Sequence, residues 1–203
     1  RTTPVQISLT GVQAVSAGSL HSLFLKEDGT VWAAGVNNDG QLGSGPNIGS
    51  SAKTTPVQVF SGARAIEAGT FHSLFLKNDP SGTVYATGNN FSGQFGDGTT
   101  TPAFTPKVVF FGATAVSAGD SHSMFQRTSG IWGSGNNYGA LANGNIDSQL
   151  TPVKTLTNGE QSVSAGLYHS LILLRNGKVF ASGRNFNGQI GDGTLDHKTT
   201  PVE

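Results

Sequence analysis

The sequence predicts an all-β fold, a β-propeller built from four repeats of about 50 residues, and three observations lead to this prediction. A motif of eleven residues recurs four times, at 15–25, 66–76, 116–126 and 163–173. The histidines within it are 51, 50 and 47 residues apart, close to the length of one four-stranded blade. Glycine accounts for 29 of the 203 residues, which indicates many turns.

The charge balance and composition exclude several classes of partner. Twelve basic and twelve acidic residues cancel, so no broad cationic surface is expected for nucleic acid or an anionic membrane. No segment approaches the roughly 18 apolar residues of a membrane span. Without cysteine, the chain has neither disulfides nor thiolate metal sites. The chain begins at Arg1 without methionine, so we expect a start that has been cut or processed.

Each repeat is expected to contain four short strands. A Thr-Pro-Val motif at 3–5, 55–57 and 151–153 suits an outer edge strand, because proline removes no needed ladder bond there. Asp-Gly at 28–29 and Asn-Gly at 176–177 predict tight hairpins. Residues 1–203 form a single repeat array with units at 2–53, 54–103, 104–149 and 150–198, and 199–203 begin a fifth.

A glycine-rich segment follows each predicted hairpin, as at 88–98 and 183–193. Because glycine permits left-handed geometry and close backbone approach, we expect a compact loop that leads to the next blade. A phosphate-binding loop would need a strand before it and a helix after it, or a Gly-Lys-Ser/Thr ending, and these contexts are missing.

These motifs resemble the regulator of chromosome condensation repeat family, whose units carry Ala-Gly-x-x-His-Ser/Thr followed by Gly-x-Asn-x-x-Gly-Gln-Leu-Gly. Residues 35–43 fit the second motif closely, and the resemblance spans nearly the whole chain. It implies a propeller, usually of seven blades, that binds proteins, with exchange activity on the GTPase Ran confined to some members. The segment 135–144 is one residue short and carries Ala140, Ala142 and Asn143, so its loop is expected to take another shape.

The number of repeats leaves three arrangements open: a fragment of a longer propeller, two or more chains sharing one ring, or a closed four-bladed monomer. We expect part of a larger ring of seven or eight blades, because open blades leave unpaired edges and apolar faces that proteins normally cover. Self-association to complete a ring is one route to such an assembly.

The repeat histidines are predicted to be structural residues that join neighbouring strands or blades by hydrogen bonds; they are His21, His72, His122 and His169. A metal ring is disfavoured, because blades of a wide ring hold the imidazoles too far apart for bonds of roughly 2.0 Å to a common Zn²⁺. His197, outside the series, is predicted to be a loop residue.

The Asp-Gly-Thr turns at Asp97 and Asp192 are predicted to have capping and turn roles. Together with amides such as those of Asn90, Asn185 and Asn187 they offer too few carboxylates for calcium. No nucleophile motif or isolated carboxylate pair is found. We therefore expect no catalytic site, no metal and no cofactor, and predict that the protein is not an enzyme.

Positions that vary within the repeat are the candidates for partner binding. The residues between Ala-Gly and His fall in equivalent turns on one face, and those predicted to bind a partner are Leu20, Phe71, Asp120 and Tyr168. Packing against the next blade is the alternative for these side chains. A second series in the glycine-rich loops, Phe91, Tyr138 and Phe186, is expected to be structural and wedged between blades. Trp32 and Trp132 are predicted to be core residues.

The sequence thus favours a non-catalytic interaction module or scaffold that contacts a protein partner through a propeller face or a shared ring interface. Two alternatives stay open: a guanine-nucleotide exchange factor or chromatin-associated regulator, and a carbohydrate-binding propeller. A weakly charged composition rich in Ser, Thr and Asn favours an extracellular or cell-surface setting.

Overall fold

The computed structural model describes residues 2–46 and 52–203, which form four antiparallel sheets. Arg1 and residues 47–51, the latter within the first repeat unit, lie outside the described residues. The first sheet contains β1 (Val12–Ala17), β2 (His21–Lys26), β3 (Val31–Val36) and β4 (Ala52–Phe60). The second contains β5 (Ala63–Ala68), β6 (His72–Lys77), β7 (Val84–Gly88) and β8 (Ala103–Phe110).

The remaining strands repeat this arrangement. The third sheet contains β9 (Ala115–Ala118), β10 (His122–Arg127), β11 (Gly130–Gly135) and β12 (Gln149–Lys154). The fourth contains β13 (Glu160–Ala165), β14 (His169–Leu174), β15 (Val179–Gly183) and β16 (Lys198–Val202). In each sheet the strands pair in chain order, so every sheet is a meander. The described part of the chain has no helix, and hence none that could span a membrane. The all-β prediction is confirmed.

The predicted hairpins form where Asp-Gly and Asn-Gly occur. Between β2 and β3, Gly29 adopts a φ of 78°, a left-handed conformation in which a side chain would be strained. The Asp28 carboxylate accepts hydrogen bonds from the Thr30 backbone N–H at 2.9 Å and from its hydroxyl at 2.6 Å. The turn chemistry in the sequence therefore fixes the register of β2 against β3.

The Thr-Pro-Val motif lies on an outer strand, as predicted, but that strand belongs to the sheet of the preceding repeat unit. Residues 55–57 lie in β4, which pairs with β3 of the first sheet. Residues 199–202 likewise lie in β16 and complete the fourth sheet, although the sequence had suggested that they begin a fifth unit. The reason is that each glycine-rich loop reverses the direction of the chain after the third strand of a sheet. The motif that follows the loop therefore pairs with that third strand. Residues 3–5 lie in no strand.

Consecutive sheets pack face to face, and each interface contains an apolar cluster. We call the side of a sheet that carries Leu23 and Val31 in the first sheet its front face, and the side that carries Val15 and Phe24 its back face. The front face of the first sheet packs on the back face of the second through Leu23, Leu25, Val31, Ala33, Leu42, Ala63, Ile66, Ala68 and Phe75. Equivalent clusters join the second sheet to the third and the third to the fourth.

The two ends of the array are uncovered, so the four sheets do not close into a ring. Val15, on the back face of the first sheet, is 70% exposed, whereas its equivalent Ile66 is 5% exposed. On the front face of the fourth sheet, Leu171 and Val179 are 37% and 49% exposed. Leu23, the equivalent of Leu171 in the first sheet, is 0% exposed. The structure thus does not form the closed four-bladed ring that was one of the three arrangements considered.

The two tryptophans are half-buried rather than central to the core. Trp132 packs against the cluster between the second and third sheets, with the Arg127 guanidinium 5.1 Å from its ring centroid. Trp32 lies in register with Phe24 on the uncovered back face of the first sheet. The core prediction was therefore wrong for Trp32, because no sheet packs on that face, and only partly right for Trp132.

Candidate protein-binding face

Two sets of connections lie at the same end of the sheets, because successive strands alternate in direction. The short turns join the first and second strands of each sheet, at 18–20, 69–71, 119–121 and 166–168. The glycine-rich loops follow the third strands, and their described residues are 37–46, 89–102, 136–148 and 184–197. We call this end of the molecule the loop face.

The short turns pack closely around the axis that the sheets surround. A Cβ atom on Gly69 would lie 2.5 Å from the Gly119 carbonyl oxygen, and the Asp120 N–H donates to the Leu167 carbonyl at 3.2 Å. These turns line an axial cavity of about 410 Å³, with walls formed mainly by alanine and glycine. The small Ala-Gly residues of the repeat therefore allow neighbouring turns to pack closely. Few side chains that could bind a ligand line the axial cavity.

The partner-binding candidates from the sequence occupy two kinds of environment. Leu20 and Phe71 are exposed on the loop face. Asp120 and Tyr168 are half-buried, and the Asp120 carboxylate accepts a hydrogen bond from the Ser121 hydroxyl at 2.9 Å. The exposed apolar residue of the fourth turn is Leu167, which sequence reasoning passed over in favour of its neighbour Tyr168.

Each glycine-rich loop is organised by one fully buried asparagine, which is the Asn of the Gly-x-Asn motif. The side-chain oxygen of Asn90 accepts the Phe95 N–H at 2.9 Å, and its amide donates to the Thr99 carbonyl at 3.0 Å. Asn185 does the same for Ile190 and Thr194. These amides hold the loops rigid from within.

The Asp-Gly-Thr turns are closed by ion pairs as well as by hydrogen bonds. Asp97 accepts from the Thr99 N–H at 3.0 Å and lies 2.6 Å from the Lys107 ammonium. Asp192 pairs with Lys198 at 2.9 Å. The hydrogen bonds that its carboxylate accepts from Lys198 and Thr194 lower the pKa of Asp192 from 3.8 to about 2. Within the described residues no group of three or more histidines and carboxylates is arranged to hold a metal ion.

The second aromatic series is exposed, so the prediction that it is wedged between blades was wrong. Phe91, Tyr138 and Phe186 are 69%, 49% and 61% exposed on the loop face. The residues that pack between consecutive sheets lie three or four positions later in the loops, and they are Leu42, Phe95 and Leu141. Ile190, at the same position of the fourth loop, is buried as well. The buried asparagine draws the backbone of that later residue inward and leaves the aromatic residue outside.

The loop of the third unit differs from the others in its backbone. Tyr138 and Ala142 have φ angles of 35° and 54°, and they are the described non-glycine residues with positive φ. The missing residue in this loop requires the tighter path, at a cost of order 1 kcal/mol for each left-handed side chain. Tyr138 is thereby held beside the fourth unit.

An arginine surrounded by aromatic rings lies where the third and fourth loops meet. The Arg184 guanidinium is 4.8, 5.2 and 5.5 Å from the ring centroids of Tyr168, Phe186 and Tyr138. Tyr138 and Tyr168 contact edge to face at 5.8 Å. Sequence reasoning missed Arg184, although the sequence contains a signal for it. The equivalent residues of the other units, Val36, Asn89 and Asn136, are uncharged, so only the fourth unit has a charged residue at this position.

This cluster opens into a cavity of about 350 Å³, which we call the Arg184 pocket. It is lined by Tyr138, Ile146, Arg184, Phe186 and His197. His197 is a loop residue, as predicted from sequence. Its ring contacts Phe186 at 4.1 Å, and its Nδ1 accepts the Asn185 N–H at 2.9 Å. The neutral ring therefore carries its proton on Nε2.

A larger cavity of about 570 Å³ lies on the uncovered back face of the first sheet, next to Gly35. At the equivalent glycines of the second and third sheets, Gly88 and Gly135, a Cβ atom would meet Gln41 and Gln94 of the preceding glycine-rich loop at about 3 Å. The larger cavity thus has the form of a packing surface for another blade, and the Arg184 pocket is the better candidate for a ligand.

Comparison with known proteins identifies the repeat. Two family models of the Regulator of chromosome condensation (RCC1) repeat match the chain, one at 12–41, 63–94 and 161–189 and the other at 28–76 and 81–126. Together they cover residues 12–126 and 161–189.

Two curated relatives match nearly all of the chain. A probable E3 ubiquitin-protein ligase, HERC6 of Homo sapiens, is 32% identical over 206 residues, which is 94% of this chain and 20% of that protein. The ultraviolet-B receptor UVR8 of Arabidopsis thaliana is 31% identical over 203 residues, which is 95% of this chain and 46% of that protein. The chain therefore spans less than half of each relative. The names of these relatives lend no support to the extracellular or cell-surface setting that the composition favours.

Solved structures share the fold. Prp20p of Saccharomyces cerevisiae superimposes with a TM-score of 0.84 at 21% identity, over 100% of this chain and 53% of that one. Human WBSCR16 superimposes with a TM-score of 0.81 at 24% identity, over 96% of this chain and 53% of that one. With repeat models matched over more than half of its residues and with blades of four strands, the chain belongs to the Regulator of chromosome condensation (RCC1) repeat family.

Proposed function

We propose that the chain is a non-catalytic protein-interaction module whose loop face binds a protein partner. One observation carries this proposal: large apolar side chains are exposed on the loop face in every blade. They are Leu20, Phe71, Phe91, Tyr138, Leu167 and Phe186. Exposed apolar patches of this kind mark interaction sites on soluble proteins, and aromatic anchors dominate the binding energy of interfaces.

The proposal is supported by the contrast within each repeat between buried motif residues and exposed residues that vary. In the second and third units the named residues of the Ala-Gly, His-Ser and Gly-x-Asn motifs are buried and hold the blades together, so they are not available to a partner. The exposed positions between them differ from unit to unit, as in Leu20 and Phe71, which both precede the repeat histidine. A fixed frame with variable exposed side chains is the arrangement expected of a binding surface.

Relatives of the same fold also support protein binding. Yeast RCC1 (Prp20) has been crystallised bound to Kap60, and Prp20p is described with its binding to Gsp1p and histones. The ligase named among the relatives is about five times longer than the matched segment, so its activity belongs to that whole protein. For this chain we propose binding alone.

A library of displayed twelve-residue peptides, panned on the immobilised chain, tests the proposal. The triple variant Leu20→Ser, Phe71→Ser, Phe186→Ser removes exposed side chains from the loop face. Phe111→Ser is the matched control, because Phe111 is equally exposed but follows β8 at the opposite end of the sheets. We expect enriched peptides that bind wild type and control alike and bind the triple variant at least about tenfold more weakly. Failure to enrich any peptide, or equal binding to all three proteins, would overturn the proposal.

The two rival functions predict other ligands for the same chain. A nucleotide exchange factor would accelerate release of labelled GDP from a small GTPase, and a carbohydrate-binding propeller would retain oligosaccharides on a glycan array. The carbohydrate hypothesis relied on Tyr168, Phe71 and loop asparagines as sugar platforms. The asparagines that organise the loops, Asn37, Asn90, Asn137 and Asn185, are fully buried and cannot contact a sugar.

A further inference from the structure

We propose that the Arg184 pocket recognises an aspartate or glutamate side chain that lies beside an apolar side chain on the protein partner. This inference rests on the proposed function, because it names the chemistry that one part of the loop face would bind. Three properties of the pocket support it: a cation without an anionic partner, apolar walls, and a rigid frame.

The Arg184 guanidinium carries a charge that the described part of the chain does not neutralise. All four ion pairs recorded in the described residues use lysines, and no carboxylate there lies within 4.0 Å of Arg184. Aromatic rings pack around the guanidinium, and the side chain is half-buried. A planar guanidinium packed among aromatic rings keeps N–H donors that can match both oxygens of a carboxylate.

The walls of the pocket are apolar, which requires more of the ligand than a free anion. Tyr138, Ile146 and Phe186 are all exposed there, and Phe186 packs edge to face on His197. A volume of about 350 Å³ accommodates one or two amino-acid side chains. The ligand that satisfies both features is a carboxylate next to an aliphatic or aromatic group.

The pocket is rigid before any ligand arrives. The backbone N–H of Arg184 donates to the Tyr168 carbonyl at 2.9 Å, and the backbone N–H of Asn185 donates to His197 Nδ1. Tyr138 is fixed by the shortened loop in which it adopts its left-handed conformation. A site ordered in advance loses less conformational entropy on binding, which favours recognition of a small motif.

The ligand is expected to be a side chain within a partner, not a chain terminus. Exposed apolar residues continue beyond the pocket in two directions, with Leu167 beside the axial cavity and Phe91 on the neighbouring loop. A partner surface can therefore pass over the pocket and make contacts on both sides of it.

A positional-scanning array of hexapeptides tests the inference, with the two central residues varied over all twenty amino acids. For wild type we expect Asp or Glu followed by Leu, Ile, Phe or Tyr to bind at least about tenfold more tightly than the Asn or Gln isosteres. The preference should weaken as salt is raised. Arg184→Gln should abolish the acid preference, and Arg184→Lys should retain only part of it, since lysine lacks the planar fork. Arg175→Gln, an arginine at the opposite end of the sheets, is the matched control and should bind as wild type does.

The outcomes separate this inference from the proposed function. If peptides bind through Leu20 and Phe71 without any acid preference, or if Arg184→Gln keeps that preference, the pocket inference is overturned and the loop-face function stands. If phosphoserine peptides bind more tightly than Asp or Glu peptides, the carboxylate assignment is overturned. If no peptide binds wild type, both proposals fail. Thermal melts of each variant will show whether the exposed substitutions leave the fold intact.

Discussion

His72 Nε2 and Ser123 Oγ lie 2.9 Å apart across the boundary between the second and third sheets, and both residues are buried. The same contact joins His21 to Ser73 at 2.9 Å and His122 to Ser170 at 3.2 Å. The Ser73 hydroxyl donates to the Gln41 carbonyl at 2.6 Å, so His21 Nε2–H must be the donor in its pair. Each of these three histidines therefore links its own blade to the next one.

Removing one of these histidines should destabilise the array. For His72→Ala we expect a loss of about 2–4 kcal/mol in the free energy of unfolding, because a buried hydrogen bond and the packing of the ring are both lost. Chemical denaturation followed by tryptophan fluorescence measures the change. His169→Ala is the control at protein concentrations low enough to keep the chain monomeric, since His169 is half-buried and the described residues record no hydrogen bond from its ring. An equal effect of the two substitutions would contradict the linking role.

Stability should fall as the pH drops from about 6.5 toward 4. Burial lowers the pKa of His21 from 6.5 to about 4 and that of His72 to about 3, with smaller contributions to His72 from His122 and His21. Since the folded state resists protonation and the unfolded state accepts it below 6.5, each such histidine costs about 2 kcal/mol at pH 5. Glu67 opposes this trend, because burial raises its pKa to about 7 and the folded state holds that proton more tightly.

Thermal melts at pH 7.5 and pH 5.0 check this balance. Three histidines should outweigh one glutamate, because burial also lowers the pKa of His122 to about 4. The melting temperature should therefore be lower at pH 5.0. Glu67→Gln removes the opposing group and should steepen the dependence. A melting temperature that rises on acidification would contradict the burial of the histidines as neutral groups.

The glycines of the Ala-Gly motif should tolerate no side chain. In Gly69→Ala the new Cβ would lie 2.5 Å from the Gly119 carbonyl oxygen and 2.6 Å from His72 Cε1, closer than real contacts allow. We expect a loss of about 3 kcal/mol or more, because both neighbours are fixed by hydrogen bonds. Thr70→Ala, one residue further along the turn, should cost far less. Denaturant midpoints of the two variants compare them directly.

The uncovered ends of the array should associate head to tail in solution. The front face of the fourth sheet carries His169, Leu171 and Val179, the positions that in earlier sheets pack on the next back face. The back face of the first sheet carries Val15 and Ser22, which is equivalent to the Ser73 that pairs with His21. The back face of a second copy is thus complementary to the front face of the fourth sheet, and its Ser22 can accept a hydrogen bond from His169.

Light scattering coupled to size exclusion measures this association. We expect a mass above 20.9 kDa that rises with concentration, and a return to the monomer mass in either Val15→Glu or Val179→Glu, because a head-to-tail contact uses both faces once. Phe91→Ser, on the loop face and away from both end faces, should leave the mass unchanged. A wild-type monomer at every concentration would contradict the association.

The sequence was informative where chemistry and spacing are local. Asp28 and Gly29 specify a hairpin because a carboxylate caps the turn and glycine alone accepts the required φ without strain. The spacing of His21 and its equivalents predicted four blades. Local patterns could not show which sheet takes the Thr-Pro-Val strand, because pairing depends on where the glycine-rich loop returns the chain.

The sequence by itself determined the repeat, its strands and turns, and the family, because each depends on motifs within about 50 residues. Only the tertiary structure decided which aromatic side chains are exposed and which residues gather around Arg184. Phe91 and Phe95 are both phenylalanines in one loop, yet the first is exposed and the second is fully buried. The hydrogen bond from the Phe95 N–H to buried Asn90 holds Phe95 inside, and the apolar pattern of this one loop does not distinguish the two phenylalanines.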